Sequence, residues 1–506
     1  MKRLYLIIVL IVGAFVFFSF LSKTDQRKAS SLIVFFDKDF TEESIVVREV
    51  VERFEQEELS VSLYYFDPAD VTAYIMSHPD ALFITDKKLK SDLYSLTRFD
   101  LFFVKVAVVD DDSKHNRITG SQFDRVACKD SNSYYKIISY QDLTIDQRLL
   151  SVDDIFPNLH NVKHGIYPKV YKAHIYTKDN DILEKERYSK LRYHLGGWID
   201  QTFSMIAGGD IMLARGTRKY MDKLGYRYPF NEIAHEIERC DIAVANLESP
   251  ISSRGKPFTP FKGIYFRANP EVIDGLKFSG FDIFSLANNH AFDWGVDAIS
   301  DTMTLLDENG MKYCGVGRTR KEALSPAVVR INGTKIAFIS YNDIYPFVVK
   351  DSDQTMLTLT LKSDSLRNEI GSLKKKYDVV IASVHSGIEY LRHPEQEKVV
   401  LMRSLRDYGV DVVLGSHPHV IQDIEVYRGG IIAYSLGNLI FDQNWSRETS
   451  LGLLLEIAFV DEHPIYYYPY IIDIRRAQAR VLENINLESI LISSDFERRE
   501  YAYQKN

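Results

Sequence analysis

Six apolar runs in this chain each lead directly to a small polar or metal-ligating side chain. The six residues reached in this way are Asp210, Glu248, His290, His385, His419 and Asn438. In open α/β sheets, ligands bind beyond the carboxyl ends of the strands. Carboxylates, an amide and imidazoles are ligands that divalent metal ions accept. The pattern therefore predicts an α/β fold with a metal site along one rim of the sheet.

The sequence segments between these runs have the amphipathic pattern of helices. Over residues 201–460, strand-length apolar runs alternate with amphipathic segments such as NPEVIDGLKFSG and EKVVLMRSLRDYG. That alternation is typical of βαβ units. Gly280, Gly310 and Gly409 follow three of the helical segments and suit left-handed C-caps. We therefore expect one α/β domain over residues 201–460.

A chain of 506 residues is too long for a single domain with one hydrophobic core, so we expect further domains outside residues 201–460. Residues 31–165 begin with strand, helix and strand patterns (SLIVFF, SIVVREVVERFEQEE and SVSLYYF), which predict a smaller α/β domain of unknown role. Residues 166–200 are charged and tyrosine-rich and predict a connector. Residues 461–506 contain IYYYPYIIDIR and ESILISS, which predict a β-rich C-terminal extension.

The start of the chain predicts a membrane anchor. Lys2 and Arg3 precede residues 4–21, a stretch without a charge. As a helix this stretch spans ~27 Å, close to the thickness of the hydrocarbon core. The basic residues predict a cytoplasmic N-terminus with the bulk of the chain outside the cell. A cleaved signal peptide is the alternative, but the run ends in FSFLSKTD without a small-residue cleavage site. We therefore expect a single-pass signal anchor over residues 1–22.

The net charge and the cysteine content exclude some classes of protein and of partner. The formal net charge is -8, whereas nucleic-acid binding needs a basic face, so no nucleic-acid partner is expected. Cys128, Cys240 and Cys314 lie far apart and form no CxxC pair, which excludes a zinc cage or a disulfide framework. We expect His235 and His393 to lie at the surface. The metal prediction therefore depends on the six strand-end residues and their neighbours.

The sequence motifs around the rim residues resemble those of a known family. Its motifs are GGDIMLAR, ANLESPI, LANNHAFDWG, VHSGIEY, GSHPHVIQ and YSLGNLIFD. In this order they resemble the CapA-type capsule-synthesis family named for poly-gamma-glutamate, a divergent branch of the calcineurin-like metallophosphoesterase fold. The resemblance covers residues 202–460 and implies an αββα sandwich, preceded here by the anchor and the smaller α/β domain. It also implies one or two divalent metal ions, with manganese, zinc, iron and magnesium not distinguished.

Site roles follow from the resemblance residue by residue. His290 is expected to face the substrate as a catalytic acid. Asn246, Asn438 and Arg215 are assigned to substrate binding. For Arg215 the reason is its planar, two-pronged donor group, and a surface ion pair is the alternative. The resemblance implies as metal ligands Asp210, Glu248, Asn289, His385, His417 and His419.

Two positions depart from the wider metallophosphoesterase pattern. Met212 stands where a histidine is usual, and a thioether is a poor ligand for a hard or borderline cation. Glu248 stands where a bridging aspartate is usual, which adds one methylene to the bridge. We therefore expect one metal position to have fewer protein ligands than this fold usually provides.

Two functions follow from the resemblance, both in the synthesis of poly-gamma-glutamate or another capsule or cell-surface polymer. The first is a membrane-anchored, extracytoplasmic, metal-dependent hydrolase or transferase. The second is a non-catalytic component that binds the anionic polymer and supports its synthesis or export beside capsule synthase subunits. A sensor or scaffold whose active part is residues 31–165 has no positive support in the sequence. The sequence favours the hydrolase.

Overall fold

The structure is a computed structural model, and it covers most of the chain. The predicted signal anchor, residues 1–22, lies outside the described residues. Within the described part of the chain, no helix is long and apolar enough to cross a membrane. The described residues are 32–40, 44–56, 61–78, 81–87, 89, 97–109, 117–118, 122–123, 136–139, 143–145, 147–153, 155–177, 197–258, 263–346, 348–351 and 354–482.

The chain forms two compact units that meet in sequence between Asp200 and Gln201. Residues 144–148 and 158–160 cluster with the second unit, although they precede this boundary. Each unit has its own sheets and its own apolar core. This boundary lies at residue 200, where the charged segment 166–200 ends and the α/β domain predicted from the sequence begins.

The first unit is built on a mixed sheet whose main path runs β2-β1-β3-β9-β4-β6. Alternate residues of β1 face opposite sides of this sheet, so Phe36 packs with Phe54 of α1 and Phe35 packs with Ile75 of α2. The elements are β1 (Leu32–Asp37), α1 (Ile45–Gln56), β2 (Val61–Phe66), α2 (Val71–Ser77), β3 (Leu82–Thr85), β4 (Thr97–Val109), β5 (Arg117–Ile118), β6 (Lys136–Ser139), β7 (Arg148–Leu149), β8 (Ser151–Val152), α3 (Leu159–Lys163) and β9 (Val170–Thr177).

Strand β9 differs from the sequence prediction, which assigned residues 166–200 to a connector. It lies inside the sheet and pairs antiparallel with both β3 and β4. Ala173, Ile175 and Thr177 are fully buried at every second position on one face, and Tyr176 on the other face is buried too. The polar Thr177 on the first face and the apolar Tyr176 on the second interrupt a simple apolar–polar alternation, so the sequence pattern is weak. The remainder of the predicted connector, residues 178–196, lies outside the described residues.

The second unit contains two large sheets. One has eight strands in the order β13-β12-β11-β10-β24-β25-β26, with β23 paired to β10; the other has six in the order β15-β16-β19-β20-β22-β21. The strands are β10 (Thr202–Ile211), β11 (Ile242–Leu247), β12 (Ile283–Ser285), β13 (Lys312–Cys314), β14 (Val316–Gly317), β15 (Ala327–Ile331), β16 (Thr334–Asn342), β17 (Val348–Asp351), β18 (Gln354–Thr358), β19 (Val379–His385), β20 (Val412–Ser416), β21 (Ile424–Tyr427), β22 (Gly430–Ala433), β23 (Asn438–Ile440), β24 (Leu451–Val460), β25 (His463–Arg475) and β26 (Gln478–Val481).

Its helices confirm the predicted alternation with strands. Gly280 and Gly409 adopt left-handed φ values of 83° and 113° as C-caps, and Gly310 has φ 76° just past the end of another helix. Glycine adopts these angles without the steric cost that other residues bear. The helices are α4 (Arg215–Leu224), α5 (Ala234–Glu238), α6 (Ile273–Ser279), α7 (Gly295–Glu308), α8 (Arg320–Ala323), α9 (Leu366–Lys374) and α10 (Gln396–Tyr408).

The two sheets pack face to face, with helices on their outer faces. Met205 of β10 joins the core between the sheets together with Ile381 of β19. Ile206, the next residue of β10, points the other way and joins the core that contains α5, α6 and α7. Helices α9 and α10 pack on the outer face of the six-stranded sheet through residues such as Ile370 and Met402. The unit therefore has helix, sheet, sheet and helix layers.

Two details of the strands differ from the sequence prediction. The run IIAYSLGN was expected to be one strand leading to Asn438. It is divided between β22 of the six-stranded sheet and β23 of the eight-stranded sheet, because the chain turns at Gly437, which has φ 68°. Residues 461–482, predicted as part of a β-rich extension, do form strands, β25 and β26, but β25 pairs along the whole of β24 and so belongs to the eight-stranded sheet. The run ESILISS lies outside the described residues.

Candidate metal centre

Asp210 is held near the carboxyl end of β10 by a close backbone crossing. A Cβ on the preceding residue, Gly209, would lie 2.0 Å from the carbonyl oxygen of Gly437, so only glycine fits there. The Asp210 amide donates to that same oxygen at 3.0 Å. The carboxylate is fully buried and accepts a 2.8 Å hydrogen bond from Asn246 Nδ2 through Oδ1. Its position is therefore fixed by both backbone and side chain.

Glu248 is the point on which three imidazoles converge. Its Oε1 lies 3.9 Å from His290 Nε2, 3.9 Å from His385 Nε2 and 3.7 Å from His419 Nε2. These separations exceed hydrogen-bond lengths. Two ligand atoms that each lie about 2.1 Å from one ion are roughly 3 to 4 Å apart. The arrangement therefore fits a divalent metal ion better than direct contact between the side chains.

His385 closes β19 and is fully buried. Its Nε2 lies 3.0 Å from Asn289 Oδ1, and its Nδ1 lies 2.9 Å from Ser416 Oγ. Burial lowers the pKa of His385 well below its ordinary value, and the nearby His417 and His419 lower it further. A neutral imidazole is the form that binds metal ions, so this environment favours a ligand.

His417 and His419 follow β20 in the loop GSHPH. Their backbones are left-handed, with φ values of 94° and 57°. Such angles cost of the order of 1–3 kcal/mol per residue and cluster at functional sites. His419 Nδ1 lies 3.0 Å from Asn438 Oδ1 and 3.3 Å from Asp210 Oδ2. The His417 amide donates to the same Asp210 oxygen at 3.3 Å. The loop is thereby held against the end of β10.

The donor atoms fall into two groups of three, each within 4.8 Å: Asp210, Glu248 and His385, and Glu389, His417 and His419. Carboxylates combined with imidazoles are a donor set for zinc, iron or manganese. The structure therefore brings the six predicted metal residues together, with Asn289 placed beside His385. The sequence prediction omitted Glu389. The sequence feature that could have identified Glu389 as a candidate ligand is its position four residues after His385 in the motif VHSGIEY.

His290 is oriented by a carboxylate on its far side. Its Nδ1 lies 2.7 Å from Asp293 Oδ2, and the same oxygen accepts a 2.7 Å hydrogen bond from the Phe266 amide. The imidazole stacks on the Phe266 ring with a centroid distance of 3.9 Å. His290 Nε2 is left on the side of Glu248. The ring is therefore held in one orientation toward the centre.

Asn246 and Asn438, predicted as substrate contacts, are both buried behind the ligands. Asn246 Oδ1 accepts from Asn288 Nδ2 at 3.1 Å while its amide nitrogen donates to Asp210. Asn438 Nδ2 donates to the carbonyl oxygen of Thr449 at 2.9 Å, and its Oδ1 faces His419. Their side chains thus contact Asp210 and His419, two of the predicted metal ligands.

Arg215 forms an ion pair with Asp442, which is the alternative that the sequence left open for it. Its guanidinium lies 4.6 Å from the centroid of the Phe266 ring, which also stacks on His290. The Arg215 side chain is 32% exposed to solvent. Arg215 therefore lies beside the centre and is still accessible. The predicted surface positions of His235 and His393 are confirmed, with exposures of 67% and 53%.

Lys398 is a buried cation that the sequence prediction missed. Its Nζ donates to the Ser386 carbonyl oxygen at 2.8 Å and to Gln422 Oε1 at 3.2 Å. Burial lowers the pKa of Lys398 to about 7. Lys398 lies four and seven residues before Met402 and Leu405 on the buried face of α10, so helical spacing contained a signal that the sequence prediction did not use. Lys398 links the loop after β19 to the loop after β20.

The second unit is a layered α/β unit in which buried carboxylates and imidazoles gather at the strand ends, where they could hold a metal ion. Residues 204–443 match the family model described as "Bacterial capsule synthesis protein PGA_cap". The chain belongs to this capsule-synthesis family.

Two curated relatives are similar to this chain. The capsule biosynthesis protein CapA of Bacillus anthracis is 30% identical over 261 residues, which is 50% of this chain and 64% of that protein. The PGA biosynthesis protein CapA of Bacillus subtilis is 30% identical over 256 residues, covering 50% of this chain and 67% of that one. The chain thus spans about two thirds of the length of these relatives.

Among solved structures, a 5'-nucleotidase precursor from Thermus thermophilus is similar over 56% of this chain and 54% of that chain. The sequence identity is 14% and the TM-score is 0.32.

Proposed function

We propose that the second unit is a calcineurin-like metallophosphoesterase domain that acts as a metal-dependent hydrolase in the synthesis of poly-gamma-glutamate or a related capsule polymer. The observation that carries this proposal is the convergence of His290, His385 and His419 on Glu248 Oε1 at 3.7–3.9 Å. The polymer class is taken from the family and from the names of the two relatives.

In this proposal, the buried carboxylates and imidazoles of the centre hold one or more divalent ions. Bound ions supply a Lewis acid that polarises a phosphoryl or acyl oxygen. Asn246 and Asn438 orient Asp210 and His419 through the hydrogen bonds described above. Their buried amides keep the ligand atoms in place as substrate enters.

The chain's own acid is His290. Asp293 accepts from Nδ1, which leaves Nε2 directed toward the centre, where it donates a proton to the leaving group. Arg215, beside the same Phe266 ring, is placed to contact an anionic group of the substrate while it remains paired with Asp442. Together these residues bind, orient and protonate an anionic substrate.

The proposed setting is the outer face of the cell membrane, with the chain anchored by residues 1–22. This part of the proposal is supported by the uncharged run 4–21 and the preceding Lys2 and Arg3 alone. An anionic polymer and capsule synthase subunits are the proposed partners. Arg215, an accessible basic side chain beside the centre, supports an anionic substrate despite the net charge of -8.

The test uses the full-length protein in detergent, carrying both His417→Ala and His419→Ala. We expect the double variant to lose the metal that these two imidazoles hold, and with it the turnover of a chromogenic phosphodiester or of poly-gamma-glutamate. The matched control is His235→Ala with His393→Ala, since both side chains are exposed. Undiminished turnover in the double variant would contradict the proposal.

A second candidate function is a non-catalytic component that binds the polymer for synthesis or export. Met212 favours it, because its side chain removes a usual metal ligand. Polymer binding by the metal-loaded wild type, with no turnover of either substrate, would support this function against the hydrolase.

A further inference from the structure

Met212 is engaged elsewhere and supplies no ligand to the metal centre. Its sulfur accepts a hydrogen bond from the Ala214 amide at 3.1 Å. The side chain is fully buried in a small apolar cluster with Phe266 and Phe441. A thioether is in any case a poor ligand for hard or borderline cations. The ligand position left by Met212 must therefore be filled from another part of the chain, or remain short of one protein ligand.

Glu389 lies beside two of the predicted imidazole ligands. One carboxylate oxygen of Glu389, one nitrogen of His417 and one nitrogen of His419 lie within 4.8 Å of one another. The two imidazoles are buried, whereas Glu389 is exposed, so the group lies at the mouth of the centre. One carboxylate with two imidazoles is a ligand set that holds zinc and leaves coordination positions open.

The backbone holds Glu389 beside these histidines. The amide of Tyr390 donates to the carbonyl oxygen of Pro418 at 2.8 Å, and Pro418 lies between His417 and His419 in the chain. Tyr390 has a left-handed φ of 65°, an angle that persists only where neighbouring contacts impose it. The loop that carries Glu389 is therefore tied directly to the loop that carries the two imidazoles.

Side chains reinforce the same connection on either side of Glu389. Gln422 Nε2 donates to the Leu391 carbonyl oxygen at 2.7 Å. Lys398 Nζ bonds both the Ser386 carbonyl oxygen and Gln422 Oε1. Residues 386–391 are thus connected to the segment after β20 at several points. A loop bound this closely presents its carboxylate at a defined place, as a metal ligand requires.

We propose that Glu389, His417 and His419 form a second metal position, in which Glu389 takes the place of the ligand that Met212 does not supply. This inference rests on the proposed function, because it presupposes a metal centre. The other position consists of Asp210, Glu248 and His385, all fully buried. Because Glu389 is exposed, the ion that it holds exchanges faster than the buried one.

The test counts zinc on the full-length protein. Wild type and variants are stripped with a chelator, reloaded with Zn²⁺, dialysed and analysed by mass spectrometry for zinc per chain. We expect about two ions on the wild type and about one on Glu389→Gln, with the weaker zinc affinity reduced at least about tenfold in calorimetry. The matched control is Glu397→Gln, an exposed glutamate that pairs with Lys362 and should keep both ions.

Thermal unfolding of the stripped proteins separates a lost ligand from a lost fold, since all three should melt alike. If Glu389→Gln keeps the wild-type zinc count and affinity, whether one ion or two, this inference is overturned and the proposed function stands. If the wild type binds no zinc, manganese or iron, the proposed function fails together with the inference.

Discussion

His290 Nδ1 lies 2.7 Å from Asp293 Oδ2, in a contact buried under the ring of Phe266. A carboxylate at this distance accepts the Nδ1 proton and thereby sets both the tautomer and the orientation of the imidazole. The opposite nitrogen, Nε2, then faces the centre near Glu248. The pair therefore defines which atom of His290 can exchange a proton with substrate.

Replacing Asp293 with asparagine should reduce turnover without removing metal. The amide cannot take up the charge that His290 gains, and it can favour the wrong tautomer. We expect kcat on a chromogenic phosphodiester to fall about 10- to 100-fold, with metal content unchanged. Asp297→Asn is the control, since Asp297 is half-exposed on α7. A kcat equal to that of the wild type would exclude an orienting role for Asp293.

Gly209→Ala should destabilise the second unit by roughly 3 kcal/mol or more. The added Cβ would lie 2.0 Å from the carbonyl oxygen of Gly437, which belongs to the backbone and cannot rotate away. Gly371→Ala is the control: nothing lies within 4 Å of its added Cβ, and it should stabilise α9 by about 0.5–1 kcal/mol. Chemical denaturation measures both. Equal stabilities of the two variants would show that the backbone crossing at Gly209 can relax.

Lys398 should make stability rise with pH above neutrality. Burial lowers its folded-state pKa from 10.5 to about 7, so between these values the unfolded chain binds more protons than the folded chain. The free energy of unfolding therefore increases with pH across this window, by at most about 1.4 kcal/mol per pH unit. Below about pH 7 Lys398 is protonated in both states, so the free energy of unfolding no longer changes with pH through this residue.

Denaturation of the chelated protein between about pH 7 and pH 10 measures this effect as the difference between wild type and Lys398→Met. The difference should move in favour of the wild type as pH rises. Lys335→Met, on an exposed position of β16, should follow the wild type. A difference that does not change with pH would mean that Lys398 keeps its proton in the fold.

Removing metal should lower the stability of the second unit. Asp210 and Glu248 are both fully buried within one ligand group, and a bound cation offsets their repulsion. At a free metal concentration of 100 times Kd, binding adds about 2.7 kcal/mol to the folded state. The melting temperature should therefore fall on chelation and recover on reloading. An unchanged melting temperature would be incompatible with metal binding to these carboxylates.

Much of the site could be predicted because it depends on local spacing. An apolar run followed by a carboxylate or imidazole places that side chain at a strand end, and Asp210 and His385 lie there. Asn438 shows the limit of this reasoning. Its apolar run reads as one strand, whereas the chain leaves one sheet at β22 and enters the other at β23. Periodicity does not report which sheet a strand joins.

The sequence by itself determined the types and order of the metal-ligand side chains, the alternation of strands and helices, and the family. The tertiary structure decided which side chains meet across long separations. Arg215 pairs with Asp442, 227 residues away, and Glu389 reaches His417 only because two loops are joined by hydrogen bonds. Such contacts depend on sheet register and loop packing, which residue spacing along the chain does not contain.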